Sequence, residues 1–335
     1  MSWWTVSIGA EVIGSLSTVV VSPSHSTSTL AHQTPRVGNL AGCPASTGGF
    51  LRGQGIVYRA ARNRDGRLQM QRMTVGNVEV VALVDMVAGY PAESVYGDAG
   101  SALDGYRDLL DASGNVVLNF ASFLLRADGR TVLVDAGNGP EAEGQLMEEL
   151  RAAGVAPGDI DTVVFTHLHG DHTGWNLLRD SGGPRFPSAR YLVPRGDWDH
   201  YGAQDPPPES FSRDIAPLEG LGALQLIEGQ HTISPSLVTL HTPGHTPGHM
   251  TVVVSSEGEE AYVLGDAFLT AVDVAEPEWA TSWDWAAEPV RATRRMLLER
   301  IGASNALVAG SHLPVPGLGR FVMTERRRVF EVAKP

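Results

Sequence analysis

The chain has 335 residues, 42% hydrophobic and 19% charged, which is enough for one large core or two packed half-domains. Its formal net charge of −13 repels phosphate backbones and sets nucleic acid aside as a partner. One cysteine, Cys43, excludes an intrachain disulfide framework and a cysteine-rich zinc site, and fits a reducing compartment.

Residues 1–72 are rich in Ser, Thr, Gly and Pro and keep no helical or strand period. They read as a disordered or loosely packed extension ahead of a folded domain over residues 73–335. The apolar stretch Val6–Val21 has no Lys or Arg before it and is interrupted by Glu11. It lacks the basic start of an export signal and is too short and polar to span a bilayer. The expectation is a cytoplasmic chain without a membrane partner, export being left open by the same stretch.

Regular structure is expected from Met73. Val75–Val84 reads as a strand ending at Asp85. Val116–Arg126 and Thr131–Val134 read as strands joined by the turn pair Asp128-Gly129, and Asp135-Ala136-Gly137 follows. Glu141–Ala153 has the spacing of an amphipathic helix closed by Gly154. Thr162–Thr166 and Arg190–Val193 are short strands, and the proline- and aromatic-rich Asp197–Ala216 reads as an insertion or lid. Further strands are expected at Leu224–Ile227, Leu237–His241, Met250–Val254 and Ala261–Leu264, with a turn over Ser255–Glu260. Glu288–Ile301 is helical in pattern, with Asp284 near its start as a carboxylate cap, and Leu307–Ala309 is the last buried strand. The order strands, helix, strand, loop occurs twice. That predicts an α+β molecule of two similar halves, helices outside and two sheets inside.

The run Thr166-His167-Leu168-His169-Gly170-Asp171-His172 follows an apolar strand and gathers four potential ligands in one small volume. Imidazole and carboxylate hold zinc or a similar divalent ion. A second cluster runs from His241 to His249 through two Pro-Gly pairs, whose tight turns aim one imidazole inward. His245 is the expected ligand there, with His241 and His249 in supporting or structural roles. Alone, Asp266 in Gly265-Asp266 reads as an ordinary strand-end carboxylate or helix cap, and His312 carries little information. Together, His167, His169, Asp171, His172, His245, Asp266 and His312 exceed one tetrahedral ion and suit two, with Asp266 able to bridge them.

This ordered set of motifs, over about residues 73–335, resembles the metallo-β-lactamase superfamily of αβ/βα sandwich hydrolases. The resemblance implies a four-layer sandwich with the site at the edge between its halves. It implies that His167, His169 and His245 hold one ion, that Asp171, His172 and His312 hold the other, and that Asp266 bridges. Two divalent ions, expected to be zinc, then share a hydroxide made available at neutral pH by the lowered pKa of bound water. Asp171 and Asp266 are the expected catalytic carboxylates, with proton uptake from the attacking water as a hypothesis for Asp171. A homodimer is compatible with the resemblance.

Within that superfamily, Asp266 argues against a true β-lactamase, and the acidic chain argues against a nuclease. The segments His241–His249 and Ser311–Arg320 are similar to the quorum-quenching lactonase and methyl-parathion-hydrolase-like groups respectively. The lactonase group often carries a tyrosine three positions after the bridging Asp, where this chain has Leu269. The expected small-molecule substrate is a neutral, hydrophobic carboxyl ester, lactone or organophosphate triester. An N-acyl-homoserine-lactone lactonase is the alternative, and a glyoxalase II-like thioesterase or a mononuclear iron oxygenase is more remote. Trp175, Trp198, Tyr201, Phe268, Leu269, Trp279 and Trp283 flank the ligands and are the candidates for an apolar cleft.

Overall fold

The computed structural model describes residues 56–57 and 71–334. Its first sheet comprises β1 (Ile56–Val57), β2 (Arg72–Val75), β3 (Val78–Pro91), β4 (Asn115–Ala127), β5 (Arg130–Val134), β6 (Thr162–Val164), β7 (Arg190–Pro194) and β8 (Leu224–Ile227). These run in the order β1-β3-β4-β5-β6-β7-β8, with β2 also paired to β3. The second sheet holds β9 (Thr232–Ser234), β10 (Leu237–His241), β11 (Met250–Ser256), β12 (Glu259–Val263), β13 (Leu307–Ala309), β14 (Leu318–Met323) and β15 (Arg328–Val332). They lie side by side in sequence order.

Two-sided burial explains the near-continuous apolar strands. Along β4, Ala121, Phe123, Leu125 and Ala127 face the second sheet and join Val252, Val263 and Leu307 in the central core. Leu124 faces the other way, onto the helix Leu146–Ala152. The helix Ala287–Ser304 covers the outer face of the second sheet through Leu297 and Ile301. Helix, sheet, sheet and helix give the expected four-layer sandwich.

Several expectations are corrected. β3 does not stop at Asp85 but continues to Pro91 through a register irregularity between Val84 and Met86. Such a bulge re-aims its side chain, and Asp85 accepts the backbone N–H groups of Asn138 (2.6 Å) and Leu146 (2.8 Å). The expected helix over 141–153 is a 3₁₀ turn, Pro140–Ala142, and an α-helix, Leu146–Ala152. Left-handed Glu143 separates them. Two more strands, β14 and β15, follow the strand expected to be last. Ile56–Val57 pairs with Ala88–Gly89 of β3, inside the segment set aside as an extension. Most of that segment, Cys43 included, lies outside the described residues. No described helix is long and apolar enough to cross a membrane.

Two backbone hydrogen bonds stitch the sheets together at one edge. Met250 N–H donates to the Thr166 carbonyl (2.7 Å) and Ala121 N–H to the Ser311 carbonyl (3.0 Å). The loops that leave the strands at this edge carry the histidine motifs.

Candidate metal centre

His167 and His169 leave the end of β6, and Asp171 and His172 lie in the one-turn helix Gly170–Thr173. His245 lies in the β10–β11 loop, Asp266 follows β12 and His312 follows β13. Gly265 makes the turn into Asp266 at φ +51, where a Cβ would come within 2.6 Å of the Thr166 side chain. Only glycine takes that conformation in that space without a shift of its neighbours.

All seven side chains expected to bind ions converge in two groups. One is His167, His169, His245 and Asp266; the other is Asp171, His172 and His312. His167 Nε2 and His245 Nε2 each lie 3.0 Å from His169 Nδ1. Asp266 touches both groups: Oδ2 is 3.2 Å from His245 Nε2 and from His312 Nε2, and Oδ1 is 3.3 Å from His172 Nε2. In the second group, Asp171 Oδ2 lies 3.4 Å from His172 Nε2 and 3.3 Å from His312 Nε2.

The partners behind the imidazoles settle which nitrogen faces inward. His172 Nδ1–H donates to Asp135 Oδ2 (2.8 Å), His245 Nδ1–H to Asp284 Oδ1 (3.2 Å) and His312 Nδ1–H to the Asn119 carbonyl (2.6 Å). His167 Nδ1–H donates to Thr166 Oγ1 (3.1 Å), whose own O–H donates to Asp135 Oδ2 (2.8 Å). These four Nε2 lone pairs therefore point into the cluster. His172 Nε2 and Asp266 Oδ1 are buried and hydrogen-bond nothing in the protein. Orphaned acceptors facing one another are costly unless a cation sits between them. The donor set is that of two divalent ions, and the residues present fit them.

The electrostatics divide the imidazoles. Burial, with neighbouring imidazoles, holds His167 well below its usual range and His169 at about 3. Burial also opposes charge on His245 and His312, but Asp266 and other carboxylates outweigh it and draw them up to about 9 and about 10, so a cation taking up their Nε2 lone pairs displaces a proton from each. Burial raises Asp171, yet His172 and His312 more than reverse this and hold it far below the carboxylate range.

The supporting carboxylates escape motif reading. Asp135 directs His172, is buried, and sits at a left-handed φ of 63°. Such strain collects at functional sites. Asp284 does not cap the long helix, whose N-cap is Ala286; it orients His245 and lies 3.7 Å from the fully buried Arg294. His249 is the structural histidine expected of it: Nδ1–H donates to the Thr242 carbonyl (3.0 Å) and Nε2 accepts from Asp266 N–H (3.0 Å). His241 lies outside the cluster, against the Pro247 carbonyl. The segment Asp197–Ala216, expected as an insertion or lid, holds no strand, and its first part lies in the helix Arg195–Gly202. Its Asp197 is fully buried and accepts from Leu168 N–H (3.1 Å), Gly248 N–H (2.6 Å) and Thr246 Oγ1 (2.9 Å), binding the two histidine loops together.

The cleft candidates separate. Tyr201 packs at a tilt 6.1 Å from His169 and edge-on 5.1 Å from His200, which meets the exposed ring of Trp285 at 6.5 Å. Trp283 packs edge-on against Tyr90 (5.3 Å), whose hydroxyl is pushed up to about 12 by burial and the charge of Asp171. The other five are packed elsewhere. Phe268 is fully buried against Phe321, and Leu269 is buried with its N–H on Asp273. Trp175 is buried with its Nε1–H on Asp85, Trp198 packs on Phe211, and Trp279 packs between Tyr96 and Tyr106. Ring size and proximity in sequence do not distinguish a cleft wall from a core residue.

A family model of the metallo-beta-lactamase superfamily matches residues 121–312, more than half of the chain. The chain belongs to the metallo-beta-lactamase superfamily. An N-acyl homoserine lactonase of a Bacillus species is 29% identical over 157 residues, covering 40% of this chain and 58% of the relative. Metallo-beta-lactamase domain-containing protein 1 of Mus musculus is 34% identical over 188 residues, covering 55% and 60%. The chain thus spans about 60% of the length of these curated relatives. Among solved structures, the hydrolase AbOPH, described as in the beta lactamase superfamily, superposes with a TM-score of 0.70 at 22% identity, covering 79% of this chain and 97% of that one. AidC, a dizinc quorum-quenching lactonase, superposes at 0.69 with the same identity and coverage. At that identity the likeness shows the fold.

Proposed function

We propose that this chain is a dinuclear metal-dependent hydrolase of neutral, hydrophobic ester-type small molecules: carboxyl esters, lactones or organophosphate triesters. The observation that carries the reading is the pair of ligand groups sharing Asp266, with four imidazoles held so that their lone pairs face inward. His167, His169 and His245 would hold one ion, Asp171, His172 and His312 the other, and Asp266 both. Zinc is the proposed ion, in keeping with the dizinc description of AidC. When bound, such ions lower the pKa of water and polarise the substrate's acyl or phosphoryl oxygen.

The chain's own residues supply the rest. Asp171 is 27% exposed at its side chain, against 3% for Asp266, so it is the acidic ligand that can meet solvent and take a proton from the attacking water. The Tyr201 ring lies 6.1 Å from that of His169, and an aromatic neighbour there favours a neutral, apolar substrate over an anionic one. The acidic net charge of −13 acts in the same direction. The test is protein reconstituted to two zinc ions per chain and assayed on p-nitrophenyl esters, homoserine lactones and phosphotriesters. Turnover of at least one class is expected, and inactivity on all three sinks the reading. Asp171→Asn is expected to lose about 10²–10⁴ in kcat. An Asp171→Asn protein with both ions and full turnover removes the proton-transfer role.

The second reading, an N-acyl-homoserine-lactone lactonase, is favoured by the Bacillus relative and by the fold shared with AidC. Buried, apolar Leu269 weighs against it. Comparing kcat/KM for N-acyl homoserine lactones and for p-nitrophenyl esters on one preparation decides between the two.

A further inference from the structure

The helix Ala287–Ser304 buries Val290, Thr293, Arg294, Leu297 and Ile301 along one stripe. The other four are uncharged; Arg294, 0% exposed, places a full positive charge among them. Burying that charge costs desolvation that an apolar residue of similar volume avoids, so stability alone does not call for it. The guanidinium spreads its donors over groups far apart along the chain. Nε–H donates to the carbonyl of Ala267 (2.7 Å), the residue after Asp266, and an Nη1–H donates to the Trp279 carbonyl. Nη2 lies 3.3 Å from Asp273 Oδ2 and 3.7 Å from Asp284 Oδ2. Both carboxylates pass the constraint on. Asp273 Oδ2 accepts Leu269 N–H (2.8 Å) and Thr270 N–H (3.1 Å), and Asp284 Oδ1 accepts the Nδ1–H of His245 (3.2 Å). Thr293, next to Arg294 on the helix, donates to the Pro243 carbonyl (2.7 Å), two residues before His245.

We propose that Arg294 is a positioning residue for the metal centre: one guanidinium holds Asp266 in place through the Ala267 carbonyl and His245 through Asp284, and so fixes the shared carboxylate relative to one of the imidazoles it meets. The proposal rests on the reading of the seven converging side chains as a two-ion site and deepens it. A planar guanidinium sends its donors out in fixed directions, so neither end of the bridge shifts without the other. A lysine carries the same charge on a single nitrogen and cannot serve the Ala267 carbonyl and the carboxylates together.

Arg294→Lys tests the fork with the charge kept. Zinc affinity, measured by competition with a chromophoric chelator, is expected to fall about 10–100-fold, and the visible absorption of the cobalt-loaded protein to change with the ligand geometry. A purely structural role would lower the Tm of the EDTA-treated protein and leave both of these readouts unmoved, so wild-type affinity with an unchanged cobalt spectrum overturns the proposal. Adding Arg294→Lys to Asp284→Asn is expected to weaken zinc binding further, because the path through Ala267 does not pass through Asp284. A double variant that binds zinc as tightly as Asp284→Asn alone overturns that path. Should Arg294→Lys fail to fold, the wild type decides, because coupling between two sites is reciprocal. The NMR signal of Arg294 Nε–H is expected to shift as zinc is added to the metal-free wild type, and a signal that stays in place overturns the proposal. Failure of the wild type to bind two zinc ions counts instead against the two-ion reading and takes the proposal with it.

Discussion

At His245 the direction of one imidazole depends on a chain of buried charges. Asp284 accepts its Nδ1–H, and the Arg294 guanidinium lies 3.7 Å from Asp284 and 3.3 Å from Asp273. Burial raises the Asp284 carboxyl, but His245 and Arg294 overcome this and hold it below its usual value. Removing its charge leaves His245 Nδ1–H without an anionic acceptor, and such changes cost about 10–100-fold in metal affinity. Asp284→Asn is accordingly expected to bind zinc more weakly by that factor, measured by competition with a chromophoric chelator. The seven side chains that converge were legible in the sequence because four of them fall within six consecutive positions and the others follow turn signals after apolar runs. Their holders were not. Asp135 and Asp284 reach His172 and His245 from segments distant along the chain, and each reads locally as an ordinary strand-end or helix-start acid.

Among the elements, the short helix Arg195–Gly202 has the largest consequence for its size. Asp197, inside its first turn, holds the β6 loop and the β10–β11 loop in register through three accepted hydrogen bonds. Burial pushes its carboxyl up to about 6, against the pull of those same bonds. The folded protein therefore holds a proton that an unfolded Asp, near 3.9, has released. The resulting stability is fully present below the unfolded value and is lost as pH rises through about 6. The size is on the order of 2–3 kcal/mol for a group this buried. Urea denaturation of wild type and Asp197→Asn between pH 5 and 7.5 checks this: the wild type is expected to lose part of its stability across that window, relative to the variant. Equal slopes would contradict the assignment. The strands were mostly legible from their apolar runs. Two exceptions had local causes: the bulge at Asp85, which hides the continuation of β3, and the half-buried β14 and β15, whose mixed exposure blurs the pattern.

Across the whole molecule, the site joins the two sheets at one edge, and ions bound there belong to the folded state alone. Ligands that bind only the native form stabilise it by mass action, by about 4 kcal/mol at a thousand times Kd. Chelation is expected to lower Tm and added zinc to restore it, as read by scanning calorimetry with and without EDTA; an unchanged Tm would deny the centre any share in stability. The half-and-half architecture was legible from the repeated order of strands, helix, strand and loop. Which of the apolar candidates lie against the converging histidines was not, because no local pattern separates the buried Phe268 and Leu269 from Tyr201, which packs on His169. His312 adds a last consequence. It is carried by the strand β13 of one sheet and oriented by a carbonyl of β4 in the other. A nascent chain that has collapsed only one layer therefore lacks the group Asp171, His172 and His312 in its final arrangement, which forms only when both sheets are in place.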